Sequence, residues 1–241
     1  MCSLRLYRRD PTGTVAAIDD DRGAIRTLCP NRFLQERTIF SWVGQELLGT
    51  ETPLIVGEVG FLEGVPAEEG AEGDDVGRID HVLVHPDADP LRWSALEIQA
   101  VYFSGQSMGR EFVAIAQHDG ETLPFPAAHR RPDYRSSGPK RLMPQLQIKV
   151  PSLRRWGKKM AVVVDEAFFA ALGHMDDVRH VSNCDIAWFI VRYIEGPNGF
   201  ILQPAGMRLT TLERAVEGLT GGTPVSCETF EDRIKSKLAN R

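Results

Sequence analysis

The apolar residues of this chain come in short runs, and the length of those runs sets the fold class. Ile79-Asp80-His81-Val82-Leu83-Val84, Met160-Ala161-Val162-Val163-Val164 and Asp185-Ile186-Ala187-Trp188-Phe189-Ile190-Val191 are of strand length. None approaches the ~20 apolar residues that a membrane helix needs. Other stretches carry helical spacing, as in Phe33, Leu34, Phe40, Val43, Leu47 and Leu48. Alternation of the two patterns predicts an α/β protein with a central mixed β-sheet flanked by helices. With 241 residues and 42% hydrophobic content, the core needs no disulfide support.

Residues 2–7 alternate like a strand, and turns at Asp10-Pro11-Thr12-Gly13 and Asp19–Gly23 follow. They predict a small β-rich unit over residues 1–32, closing at Cys29-Pro30-Asn31-Arg32, ahead of a main domain over 33–241. The main domain opens with a helix from Phe33 to Leu48, stopped by Gly49. Strands are expected at 54–61, 79–84 and 94–103, with a loop at 68–77 and a turn at 85–90. Residues 120–144, rich in proline and arginine, read as mostly loop, and 145–150 fits strand or helix equally. A strand at 160–164 should run into a helix ending near Ala171. Strand 184–194 turns at 195–199 into a partner at 200–202. Helices at 210–219, with Thr210 or Thr211 as cap, and at 230–238 complete the chain.

Within this pattern some acids stand where they should not. Glu97 lies inside Leu96-Glu97-Ile98-Gln99-Ala100-Val101, and Glu58 inside Ile55-Val56-Gly57-Glu58-Val59. A carboxylate among core residues is costly unless paired or bound to a metal. The alternative is a solvent-facing acid on an edge strand. Strand geometry turns Glu97 and Gln99 to one face and Ile98 to the other. Asp80, 17 positions before Glu97, can reach it across a hairpin. Such a constellation suits a magnesium ion, which takes hard oxygen ligands and few protein carboxylates. Bound magnesium activates water for phosphodiester hydrolysis.

The charge distribution is consistent with that chemistry. Net charge is −5, but acids dominate from Glu58 to Asp89 and bases from His129 to Lys159. The basic set, Arg130, Arg131, Arg135, Lys140, Arg141, Lys149, Arg154, Arg155, Lys158 and Lys159, suits a polyanion. Trp156 among them suits a nucleic-acid surface, though also an anchored amphipathic one. His81 and His85 flank the proposed site and read as ordinary strand and turn residues. No G-x-S-x-G word and no phosphate-cradling glycine loop occurs. The four cysteines form no CxxC pair, and the N-terminus has no secretory apolar stretch, so a reducing, cytoplasmic setting is expected.

Four words in order carry a resemblance: Cys29-Pro30-Asn31-Arg32, Gly57-Glu58-Val59, Gly77-Arg78-Ile79-Asp80 and Leu96-Glu97-Ile98-Gln99-Ala100, the last followed by an aromatic and Ser104-Gly105. Over residues 29–110 the chain resembles the NotI family of type II restriction endonucleases, within the PD-(D/E)XK nucleases. The resemblance implies a PD-(D/E)XK core and sequence-specific, magnesium-dependent cleavage of double-stranded DNA by a homodimer. It implies that Asp80 and Glu97 hold the metal, that Glu58 is an additional acid, and that Gln99 stands at the superfamily's lysine position. It also implies a structural iron held by four cysteines, of which Cys29 and Cys2 match two. The word Cys2-Ser3-Leu4-Arg5 so near residue 1 suggests a start further upstream, with loss of the metal as the alternative. Two cysteines cannot close a tetrahedral site, so without iron the N-terminal unit should be poorly anchored. The neutral Gln99 keeps a second function class open: a nuclease-fold DNA-binding protein that is inactive or structure-specific.

Overall fold

A computed structural model describes residues 3–18, 20, 23–64, 75–105, 109–118, 131–197, 199–222 and 225–239. Arg130 and Cys2 lie outside the described residues, as do most of the acidic loop and the start of the proline-rich segment.

Four short strands open the chain: β1 (Ser3–Leu4), β2 (Tyr7–Arg9), β3 (Val15–Ala17) and β4 (Arg26–Thr27). They form two small antiparallel pairs, β1 with β4 and β2 with β3. A 3-10 segment, Pro30–Arg37, leads into α1 (Thr38–Leu48), so the predicted helix is true α-helix only in its second part. Gly49 ends it with φ of 77°, a left-handed cap that glycine adopts without penalty.

The central sheet has six strands in the order β10-β9-β8-β7-β6-β5. These are β5 (Leu54–Glu63), β6 (Asp75–Val84), β7 (Trp93–Ile98), β8 (Met160–Asp165), β9 (Ile186–Gly196) and β10 (Gly199–Thr210). β5, β6 and β7 form an antiparallel meander, β7, β8 and β9 run parallel, and β10 returns antiparallel to β9. β6 begins at Asp75, inside the expected loop, and β10 is a full strand of 12 residues rather than a short return. Between β7 and β8 lie α2 (Gly109–Ala116), α3 (Tyr134–Ser137), a π-helical turn (Gly138–Leu142) and α4 (Met143–Arg155). The expectation of loop therefore fails from Tyr134 onward. Pro139 and Pro144 open the π-helical turn and α4, within helical backbone that is continuous from Tyr134. α5 (Glu166–Ala170) follows β8, α6 (Leu212–Thr220) follows β10 with Thr211 as its cap, and α7 (Cys227–Ala239) ends the described chain with no buried residue.

Alternation along the strands splits the core into two layers. Leu96, Ile98, Ala161, Val163, Ala187 and Phe189 face α1, through Ile39, Phe40 and Val43. Ala95, Val162, Val164, Ile186 and Trp188 face α4 and α6, through Leu146, Val150, Leu153, Ala215 and Leu219. The end of the N-terminal unit is bound to this body. The Thr27 N–H donates to Asp165 Oδ2 at 2.7 Å, its hydroxyl pairs with that of Tyr193, and its carbonyl accepts from Val101 N–H. No helix among the described residues is long and apolar enough to cross a membrane.

Candidate active site

The β6–β7 ladder pairs His81 with Leu96 and Val82 with Ala95. One further step along that register sets Asp80 opposite Glu97. Asp80 shares the parity of Val82, and Glu97 that of Ala95, so both project toward the α4 layer. Glu97 is 2% exposed, as its apolar surroundings predict, while Asp80 is open to solvent.

A third residue completes the group. Lys149 on α4 places its Nζ 2.7 Å from Glu97 Oε2 and 3.9 Å from Asp80 Oδ1. It also donates to Gln145 Oε1 at 2.8 Å. Two carboxylates thus lie within 4 Å of one ammonium, well inside the about 10 Å beyond which no shared ion could bridge them. Lys149 is buried because α4 presents Leu146, Val150 and Leu153 to the sheet, continuing from Leu142 of the preceding turn, and Lys149 falls on the same stripe. That placement was the available signal: a lysine on the apolar face of a helix. It stayed hidden because residues 145–150 could not be read as helix.

Burial raises the Glu97 carboxyl from its ordinary 4.5 to about 7, against the opposing pull of Lys149. The negative charge of Asp80 pushes the same way as burial. His81 points to the opposite layer, its ring 5.8 Å from that of Phe40, and burial lowers its pKa. His85 Nδ1 accepts from Asp87 N–H within the turn.

The other predicted site residues lie differently. Gln99 is buried, and its side-chain amide donates to the Ala100 carbonyl at 2.6 Å. Glu58 falls in the same cross-strand row, between the pairs Gly57–His81 and Val59–Ile79. Of its two readings the solvent-facing one holds, since β5 is an edge strand of the sheet and also exposes Leu54, Val56 and Val59. Glu58 has a left-handed φ of 51°, and its carboxylate pairs with Arg78 at 3.3 Å. No group of three or more His, Cys, Asp or Glu among the described residues is arranged to hold a metal. Cys29 is a half-buried free thiol, Cys184 is buried in the core and Cys227 is exposed on α7.

Several of the basic residues are engaged within the protein. Arg154 binds Asp185 and Glu213, and Lys159 donates to the carbonyls of Ser182 and Cys184. Arg155 donates to the Pro151 carbonyl, and Lys158 lies 5.2 Å from the centre of the Trp93 ring, itself edge-on to Trp156. Arg131, Arg135, Lys140 and Arg141 are exposed.

The donor set, two adjacent carboxylates of which one is open to solvent, fits a hard divalent cation completed by water and substrate oxygens. Comparison with curated proteins finds no match. The family model described as restriction endonuclease NotI matches residues 1–203, which include every residue of this site, and the chain belongs to that family.

Proposed function

We propose that this protein is a magnesium-dependent type II restriction endonuclease with a PD-(D/E)XK site, cutting double-stranded DNA at a specific sequence. The observation that carries the reading is the meeting of Asp80, Glu97 and Lys149 around one ammonium nitrogen. Asp80 and Glu97 would hold the ion. When bound, magnesium lowers the pKa of a coordinated water and offsets phosphate charge. Glu97 is fixed by its surroundings, whereas Asp80 faces the solvent from which a phosphate arrives. Lys149 supplies the positive charge that a neutral Gln99 cannot, delivered from a helix instead of the strand. Held by Glu97 and Gln145, it is oriented before substrate binds, which is the arrangement that favours charge developing in a transition state. Glu58 stands one strand away as a third acid, restrained by Arg78. The exposed bases of residues 131–141 would hold backbone phosphates, and a palindromic site would call for a two-fold homodimer working in the cytoplasm. No step passes through iron.

Incubation with plasmid and genomic DNA in magnesium tests the proposal. Discrete, reproducible fragments are expected, and Asp80→Ala or Glu97→Ala should each abolish them without unfolding the protein. Cleavage by both variants would overturn the site assignment. Binding without cutting by the wild type would leave a nuclease-fold DNA-binding protein, and products set by DNA structure would leave a structure-specific one.

A further inference from the structure

A second arrangement lies on the segments that leave β7 and lead into α4. Arg141 lies in the π-helical turn Gly138–Leu142, a rare conformation concentrated at functional positions. Its guanidinium carbon is 3.7 Å from the centre of the Tyr102 ring. A contact of this kind fixes the plane of the guanidinium and leaves its in-plane N–H donors unspent. Those donors have no hydrogen-bond partner among the described residues. Tyr102 is itself held on both sides, donating its N–H to Ser137 Oγ at 2.8 Å and accepting at its carbonyl from Asp133 N–H at 2.6 Å.

Tyr102 and Arg141 border a pocket of about 440 Å³ that Phe103, Ser104, Phe112 and Asp133 also line, the Asp133 carboxylate being occupied by the N–H and hydroxyl of Ser136. The pocket begins where the chain leaves the catalytic strand, five residues past Glu97, and ends two helical turns before Lys149. Most other bases of the region are committed to carboxylates, carbonyls or the Trp93 face. Arg141 instead presents a planar fork, pre-set by a ring, whose paired N–H groups match two oxygens of a phosphate.

We propose that Arg141, held by Tyr102, is a positioning residue that clamps a DNA backbone phosphate a short way along the strand from the one being cut, the adjoining sugar and base edge entering the pocket. The proposal rests on the cleavage reading of Asp80 and Glu97. Its test is DNA binding across salt concentrations, made in a Glu97→Gln background so that no cutting intervenes, together with cleavage rates in the otherwise wild-type protein.

Arg141→Ala should weaken binding to cognate and unrelated duplexes alike and reduce the slope of log affinity against log salt by about one. Arg141→Lys keeps the charge, so the slope should persist while kcat falls about tenfold or more through lost alignment. Tyr102→Ala should reproduce Arg141→Lys, Tyr102→Phe should match the wild type, and adding Tyr102→Ala to Arg141→Ala should cost nothing further. An unchanged salt slope in Arg141→Ala, a loss confined to the cognate duplex, or a silent Tyr102→Ala would each overturn the clamp. Failure of the cleavage reading shows differently, as DNA left uncut by the wild type while the salt slopes are still measurable.

Discussion

Lys149 Nζ lies 2.7 Å from Glu97 Oε2, so the acid that a strand buries is met by a base that a helix buries. Replacing Lys149 with Met leaves the carboxylate without its partner. Cleavage should fall by about 10²–10³-fold, the range for losing one pre-set charge-stabilising group. Removing one member of a buried pair costs about 3–5 kcal/mol when the other stays charged. Glu97 can take up a proton instead, so the loss of stability should be smaller at pH 6 than at pH 8. Urea denaturation at the two pH values checks this, and Lys149→Met with Glu97→Gln should recover stability but not activity.

Glu97 also predicts the pH dependence of the metal-free wild type. Its folded pKa, about 7, lies above the ordinary 4.5. Between those values the folded state binds more protons than the unfolded state, so its contribution to stability falls as pH rises through the window and is level above it. Denaturation in EDTA should show that decline, and Glu97→Gln should remove it. Cleavage in magnesium should run the other way, rising with pH as the carboxylate ionises, over a range that the bound cation sets lower.

The magnesium binding proposed for this site can be tested without any DNA. A ligand that binds the folded state alone stabilises it, by about 2.7 kcal/mol at one hundred times its dissociation constant. Millimolar magnesium should therefore raise the melting temperature of the wild type, and Asp80→Asn should lose most of that rise. EDTA should end cleavage, and added magnesium should restore it.

Asp165 gives a prediction away from the candidate site. Its two oxygens accept from the backbone N–H groups of Thr27 and Phe168, each at 2.7 Å, tying β4 to the core and capping α5. Asp165→Ala strands two buried donors, each worth about 1–3 kcal/mol. The Thr27 amide should exchange its hydrogen much faster, and cleavage per folded molecule should change little.

The sequence exposed what depends on neighbours along the chain. Glu97 stood out because an acid in Leu96–Val101 breaks an apolar run, and Asp80 followed because hairpin geometry can bring strand neighbours together. What depends on distant packing was not legible. Glu58 sits in an equally apolar run but is exposed, because nothing local reveals that β5 has a neighbour on one side only. Residues 134–144 look like loop because proline reads as a breaker, although Pro139 and Pro144 are accommodated at the two ends of a π-helical turn. Lys149 falls among the other bases of residues 129–159 in the sequence, and its stripe with Leu142, Leu146, Val150 and Leu153 emerges only when the segment is helical. Anchoring of the N-terminal unit was likewise hidden, since Asp165 lies 138 residues from Thr27.

The parallel ladder that joins residues 95–98 to 160–163 has a consequence for the timing of synthesis. Asp80 and Glu97 leave the ribosome together, but the lysine that completes their group belongs to the crossover helix made some fifty residues later. Parallel pairing also forms late, because its loop must close before contacts repay the entropy. On the proposed mechanism, a growing chain is harmless to the DNA of its own cell until that crossover has been threaded and closed.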